Sequence, residues 1–257
     1  MMDGIADDLR QAFVVGKNEI TKYARGKKLL IFGVIIIVIA ALLSALPYVL
    51  GSSYEDPDDV ALTFVSFLAI IMELAGVLFA AGALVSEFED RTALMLFTKP
   101  VRKWSIFVGK LSASIVIVTV MCGALLLYIM LFSKLATGDV TPGFGTLFLL
   151  TVAAVFAICG LSMLMSAISK KSSTATILTL VMLLLLLGLI EGIIQTSANV
   201  ETWWMLTNAL DSLIFVFGPV GGVSMTDAEI LRAAGVMVAW GVVTNVIAFL
   251  LFRKRDF

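Results

Sequence analysis

Six stretches of this chain, near residues 29–50, 62–85, 105–132, 144–168, 175–195 and 231–252, run almost wholly apolar for the length of a bilayer crossing. A spanning helix needs about 20 such residues at a rise of about 1.5 Å each. Backbone groups inside hydrocarbon have no water to bond, so each stretch is expected to be helical. Composition agrees: the chain is 60% hydrophobic and 14% charged, where soluble domains are about 45–50% apolar and about 25% charged. The expected fold is an all-α membrane protein with six transmembrane helices, the third long enough to tilt or to begin outside the hydrocarbon.

Lysine and arginine set the expected orientation. Arg10, Lys17, Lys22, Arg25, Lys27 and Lys28 precede the first span, and Arg91, Lys99, Arg102, Lys103 and Lys110 follow the second. Lys170 and Lys171 follow the fourth, and Arg253, Lys254 and Arg255 follow the sixth. Of the 18 basic residues only Lys134 and Arg232 fall on the opposite side, where acidic loops such as "YEDPDD" at 54–59 lie. By the positive-inside rule both termini are cytoplasmic, and a multi-pass protein of the cell membrane is expected. Residues 203–223 imitate a seventh span. Asn208 and Asp211 interrupt them, and the clean apolar part, 213–223, covers about half a bilayer. The loop 196–230 is therefore read as extracytoplasmic, with one or two short helices at the interface and a re-entrant path as one form. Trp203 and Trp204 suit the headgroup level.

Absences narrow the chemistry. The chain has no histidine, which excludes Ser-His and Cys-His catalytic pairs and His-ligated zinc or haem. Cys122 and Cys159 each sit in an apolar run and imply no disulfide framework. The first 28 residues carry Asp3, Asp7, Asp8 and Glu19 and lack an early apolar core, so no cleaved signal peptide is expected. Instead Ile5, Leu9, Ala12, Phe13, Ile20, Tyr23 and Ala24 recur at helical spacing. Residues 1–28 thus read as a cytoplasmic amphipathic helix of the kind that lies in a membrane surface, and 253–257 as a cytoplasmic tail.

The densest charge lies at 87–110, "EFEDRTALMLFTKPVRKWSIFVGK". Asp90 is a good N-cap, with Thr92 beside it. Ala93, Leu94, Leu96 and Phe97 supply an apolar stripe, and Lys99 before Pro100 ends the helix. Acidic residues precede this short helix and basic ones follow, matching the helix dipole. Such a helix rests on lipid or fits a groove of another protein; the pattern serves both.

The same run resembles the signature of ABC-2-type exporter permeases: E-x-E-x-G-T, an apolar stretch, P-V-x-R and G-K. Glu87, Glu89, Thr92, Pro100, Val101, Gly109 and Lys110 match. Arg91 stands where the family often has glycine, and Lys103 where it often has arginine. The resemblance extends over the whole plan of N-terminal elbow helix, six spans and an elaborated loop before the last. It implies that loop 86–104 is a coupling helix docking in a separate ATPase subunit, through Glu87, Glu89, Asp90, Arg91, Thr92, Leu94, Phe97, Pro100, Arg102 and Lys103. "SKKSST" at 169–174 would be a smaller contact.

No phosphate-binding loop occurs: "GKN" at 16–18, "GKK" at 26–28 and "GKL" at 109–111 lack the hydroxyl that follows the lysine. The ATPase is therefore expected on another polypeptide, which would bind ATP and Mg; this chain is expected to bind no cofactor or metal and to have no enzyme activity. The resemblance implies two permease subunits, as homo- or heterodimer, and two ATPase subunits. Membrane lipids are expected neighbours and nucleic acid is not. The expected role is export of a lipid, drug, peptide or polysaccharide-type substrate.

Polar residues inside spans are costly and so are candidates for function. Glu73 lies mid-way along the second span, Glu191 near the outer end of the fifth and Asn245 in the sixth. Each is a candidate for the translocation pathway, with Asn245 also suited to a helix-to-helix hydrogen bond. The alternative function is an ion-gradient-driven transporter using Glu73. It lacks support from charged relays in several spans or from an inverted repeat.

Overall fold

The computed structural model describes residues 2–89, 102–198 and 200–255. Its helices are α1 (Met2–Arg25), α2 (Lys27–Val49), α3 (Pro57–Phe79), α4 (Val85–Glu89), α5 (Lys103–Thr137) and α6 (Phe144–Ile168). There follow α7 (Ser172–Val181), a π-helical turn (Met182–Leu186) and α8 (Leu187–Ala198), then α9 (Leu206–Asp211), a 3-10 turn (Ile214–Phe217) and α10 (Asp227–Lys254). Among the described residues, six helical segments are long and apolar enough to cross a membrane: α2, α3, α5, α6, the continuous run Ser172–Ser197 and α10. The expected all-α fold with six spans is what the chain adopts.

Local chemistry explains the boundaries. Pro57 opens α3, where its missing N–H costs nothing. Gly138, at φ +86°, closes α5 in the left-handed region that glycine tolerates. Thr226 and Glu229 form a capping box at the start of α10. The 35 residues of α5 would measure about 50 Å. That exceeds the hydrocarbon thickness of about 30 Å, so α5 continues beyond the bilayer.

Burial separates central helices from lipid-facing ones. In the most apolar window of α6, 67% of residues are buried; in that of α2 only 22% are. Helix α6 packs along α10, and Gly160 makes their contact close. A Cβ there would stand 2.5 Å from both Asn245 Nδ2 and Thr244 Oγ1. Gly76 of α3 likewise faces Ile158 of α6 with no room for a side chain. Small residues let membrane helices approach closely enough for dispersion forces to hold them.

Two features depart from simple periodicity. The second apolar run, expected as one span over 62–85, breaks after Phe79. The freed Phe79 carbonyl accepts hydrogen bonds from Tyr23 Oη (2.6 Å) and Ser114 Oγ (3.0 Å). Past the break, Ser166 Oγ accepts from the amides of Leu84 and Val85, each at 3.1 Å. A broken helix survives at membrane depth when neighbouring side chains satisfy its backbone in this way. The second departure is in α1, which buries Ala12, Gly16, Glu19 and Tyr23 against the protein. Leu9, Phe13 and Val14 point outward.

On the opposite side, the loop before α10 folds back on the helices. Leu206, Ala209, Leu210, Leu213 and Phe217 join the main core, and Trp240 Nε1 donates to the Trp204 carbonyl at 2.9 Å. Arg232 lies over the Trp203 ring. The apolar stretch Leu206–Phe217 is shorter than a bilayer crossing requires.

Candidate functional site

Three segments on the basic side, α1, α4 and α5, meet at one lysine. Lys110 lies within α5 and is 1% exposed. Its Nζ donates to Glu19 Oε1 of α1 at 2.8 Å and stands 2.7 Å from Glu87 Oε1 of α4. An ammonium held this far from water is tolerable only with opposite charge at hydrogen-bonding distance. Beside it, Gly109 sets the separation of α1 and α5. A Cβ on Gly109 would stand 2.6 Å from the Ala12 carbonyl oxygen and 2.9 Å from Val15 Cβ. The glycine brings α1 close, and the lysine then reaches Glu19.

The two glutamates of the E-x-E run have different tasks. Glu87 pairs with Lys110, whereas Glu89 Oε2 accepts the Ser172 amide at 2.8 Å. That amide opens α7, and Lys171, at the N-cap position, makes no side-chain cap. Glu89 therefore satisfies a helix N-terminus from another segment and places negative charge at its positive end. Glu89→Ala is expected to cost about 1 kcal/mol, the usual worth of a lost cap. A thermal transition in detergent checks this, and a transition unchanged from wild type would show the cap to be idle.

The exit of the loop is tied down as firmly as its entry. Arg102 meets Asp8 of α1 at 2.7 Å. Lys103 Nζ donates to the carbonyls of Arg253 (3.1 Å) and Arg255 (2.9 Å). The Arg255 guanidinium in turn donates to the Ala167 and Ser169 carbonyls between α6 and α7. The basic tail, read from sequence as an orientation signal, thus staples the last span to the neighbouring loop.

Of the coupling residues expected from sequence, Glu87, Glu89, Arg102 and Lys103 all enter this network. Asp90, Arg91, Thr92, Leu94, Phe97 and Pro100 lie outside the described residues. Sequence reasoning gave Glu19, Tyr23 and Asp8 no part in this site and did not single out Ser166. It counted Lys110 only as a motif match and an orientation signal. A signal for Lys110 existed, since it is followed directly by a long apolar run.

The pathway candidates lie elsewhere. Glu73 is 7% exposed in α3, and among the described residues no hydrogen bond or ion pair reaches its carboxyl group. Glu191 accepts from Thr202 Oγ1 at 2.7 Å, Gln195 Nε2 at 3.2 Å and Thr207 Oγ1. Asp211, outside the spans, lies within electrostatic reach of both. Although part of its side chain reaches the surface, the surrounding protein and then Glu191 push it up to about 6. Asn245 sits apart, where Nδ2 donates to the Gly241 carbonyl at 2.7 Å. Its buried Oδ1 has no partner among the described residues.

Six crossing helices, closed on the basic side by a network of ion pairs and backbone staples, define a multi-pass α-helical membrane protein. A sequence model of the family described as "ABC-2 family transporter protein" matches residues 13–257, and the chain belongs to that family. It is therefore a membrane permease of an ABC transporter, a transmembrane subunit and not itself an ATPase. No curated protein sequence matches it.

Proposed function

We propose that this chain is the membrane subunit of an ATP-driven exporter, moved by a separate ATPase subunit that docks on residues 86–104. The observation that carries this reading is the Lys110 clasp. It ties the entry of that loop through Glu87, and its exit through α5 itself, to one and the same N-terminal helix. Force applied to the loop reaches α1 and α5 together, and α5 carries it across the bilayer. Loops on this side would be cytoplasmic, as their basic residues require, and α1 would be the elbow helix. Its outward Leu9, Phe13 and Val14 then rest in the membrane surface.

On this reading Glu87, Glu89, Arg102 and Lys103 set the loop's frame. Asp90, Arg91, Thr92, Leu94, Phe97 and Pro100 supply the docking helix. ATP and Mg bind the ATPase subunit, and a second permease subunit completes the pathway in the cell membrane. Glu73, Glu191 and Asn245 are the polar groups offered to a lipid, drug, peptide or polysaccharide-type cargo.

The test is co-purification of the tagged chain with its ATPase subunit from gently solubilised membranes, for wild type and Phe97→Asp. A charge in the apolar stripe should weaken the complex about 30-fold, the ~2 kcal/mol of an interface hot spot. It should also release ATP hydrolysis from transport. A Phe97→Asp chain that binds and transports normally would overturn the docking assignment.

A further inference from the structure

A cavity of about 200 Å³ opens beneath α1, where the start of α2, the break after α3 and the start of α7 meet. Lys22, Lys28, Gly82 and Ser172 line it over an apolar floor of Leu78 and Phe79. That volume has room for several waters, and so for a small polar group. Its charge is unbalanced. Glu19 is on the wall but is taken by Lys110 at 2.8 Å, leaving Lys22 a distant 4.0 Å contact. No carboxylate of the described residues pairs with Lys28.

Depth points to the same ligand. Directly beyond Lys28, Leu30 and Ile31 are 69% and 53% exposed on α2, so the lipid-facing surface begins there. Earlier along α1, the helix that supplies Glu19, Lys22 and Tyr23 to the wall, Leu9, Phe13 and Val14 are exposed. A cavity at this level meets headgroups, and two lysines beside it favour anionic ones. Ser86 and Ser172 add hydroxyl groups to its wall.

We propose that the cavity holds the headgroup of one anionic phospholipid, such as phosphatidylglycerol, as a resident lipid. Its phosphate sits between Lys22 and Lys28, and its acyl chains run along the exposed face of α2. The site ties α1 to α2 and α7 and is distinct from the Lys110 clasp, though the two share the Glu19 side chain. The proposal rests on the six-span architecture and not on ATPase docking.

The test uses the full chain, purified from nanodiscs of phosphatidylcholine with increasing phosphatidylglycerol, and counts retained lipids by native mass spectrometry. One phosphatidylglycerol per chain should be retained in preference to phosphatidylcholine. Lys22→Gln with Lys28→Gln should weaken retention about 30-fold, about fivefold per lysine. The neighbouring pair Arg25→Gln with Lys27→Gln should change it less than about threefold. Gly82→Leu keeps every charge but fills the cavity, and should lose the lipid too. Equal losses from both basic pairs would mean diffuse surface attraction and overturn the proposal, as would unchanged retention in the Lys22, Lys28 variant. Inorganic phosphate that binds in lipid-free detergent and displaces phosphatidylglycerol would show a soluble-anion site, which also overturns it. If Gly82→Leu does not fold, the two basic pairs decide the matter, because all four residues are exposed.

Discussion

Lys110→Met is expected to melt about 10 °C below wild type in detergent, the largest stability loss of any single substitution on the basic side. Removing the ammonium takes the close counter-charge from Glu19, 5% exposed, and from Glu87, and leaves Glu19 only the distant Lys22 contact at 4.0 Å. An uncompensated buried charge costs about 3–5 kcal/mol, and each kcal/mol shifts the transition of a chain this size by about 2–4 °C. The cost lies in the two carboxylates brought together without the ammonium between them, more than in the lost attraction. Lys110→Met combined with Glu19→Gln and Glu87→Gln should therefore recover most of the loss, because neutral amides need no buried counter-charge. A lone Lys110→Met melting within about 2 °C of wild type would show that the clasp contributes nothing to the fold.

Gly109→Leu should separate α1 from α5 without unfolding the spans. Its Cβ alone would press on the Ala12 carbonyl at 2.6 Å, and backbone cannot step aside as a flexible side chain can. Overpacking of this kind costs about 1–3 kcal/mol. Here it also carries Glu19 away from Lys110, now 2.8 Å apart. Opening of α1 by about 2 kcal/mol would raise tryptic cleavage after Lys17 and Arg10 about 30-fold, provided closing is fast relative to cleavage. Helix content by circular dichroism should barely change. Wild-type cleavage rates in Gly109→Leu would mean that α1 does not depend on this approach. The two variants separate causes: Lys110→Met removes charge at an unchanged distance, and Gly109→Leu changes the distance with every charge present.

The six spans were legible because bilayer thickness converts directly into a length of apolar sequence. The shortness of the apolar segment before α10 was legible too, since Asp211 interrupts it and the clean run 213–223 covers about half a bilayer. The E-x-E and G-K residues were legible as a pattern but not as a mechanism. Glu19 and Lys110 are 91 residues apart, and no local rule joins them. The break after Phe79 was hidden for a related reason. Its carbonyl is satisfied by Tyr23 and Ser114, from α1 and α5, and a hydropathy pattern carries no record of such partners.

Helix α1 shows the boundary between the two kinds of information. Hydrophobic spacing groups Leu9 and Phe13 with Ala12 and Tyr23, yet Leu9 and Phe13 face outward while Ala12 and Tyr23 are buried beside Gly16 and Glu19. In a soluble protein the apolar face is the inner face, because water is the only alternative. Beside a membrane there are two apolar surroundings, lipid and protein, and hydrophobicity cannot tell them apart. The sequence by itself determined which segments leave water. The tertiary structure decided which faces meet protein, because that choice rests on close approach and paired charge: glycine at 109, and a lysine at 110 with carboxylates at 2.7 and 2.8 Å.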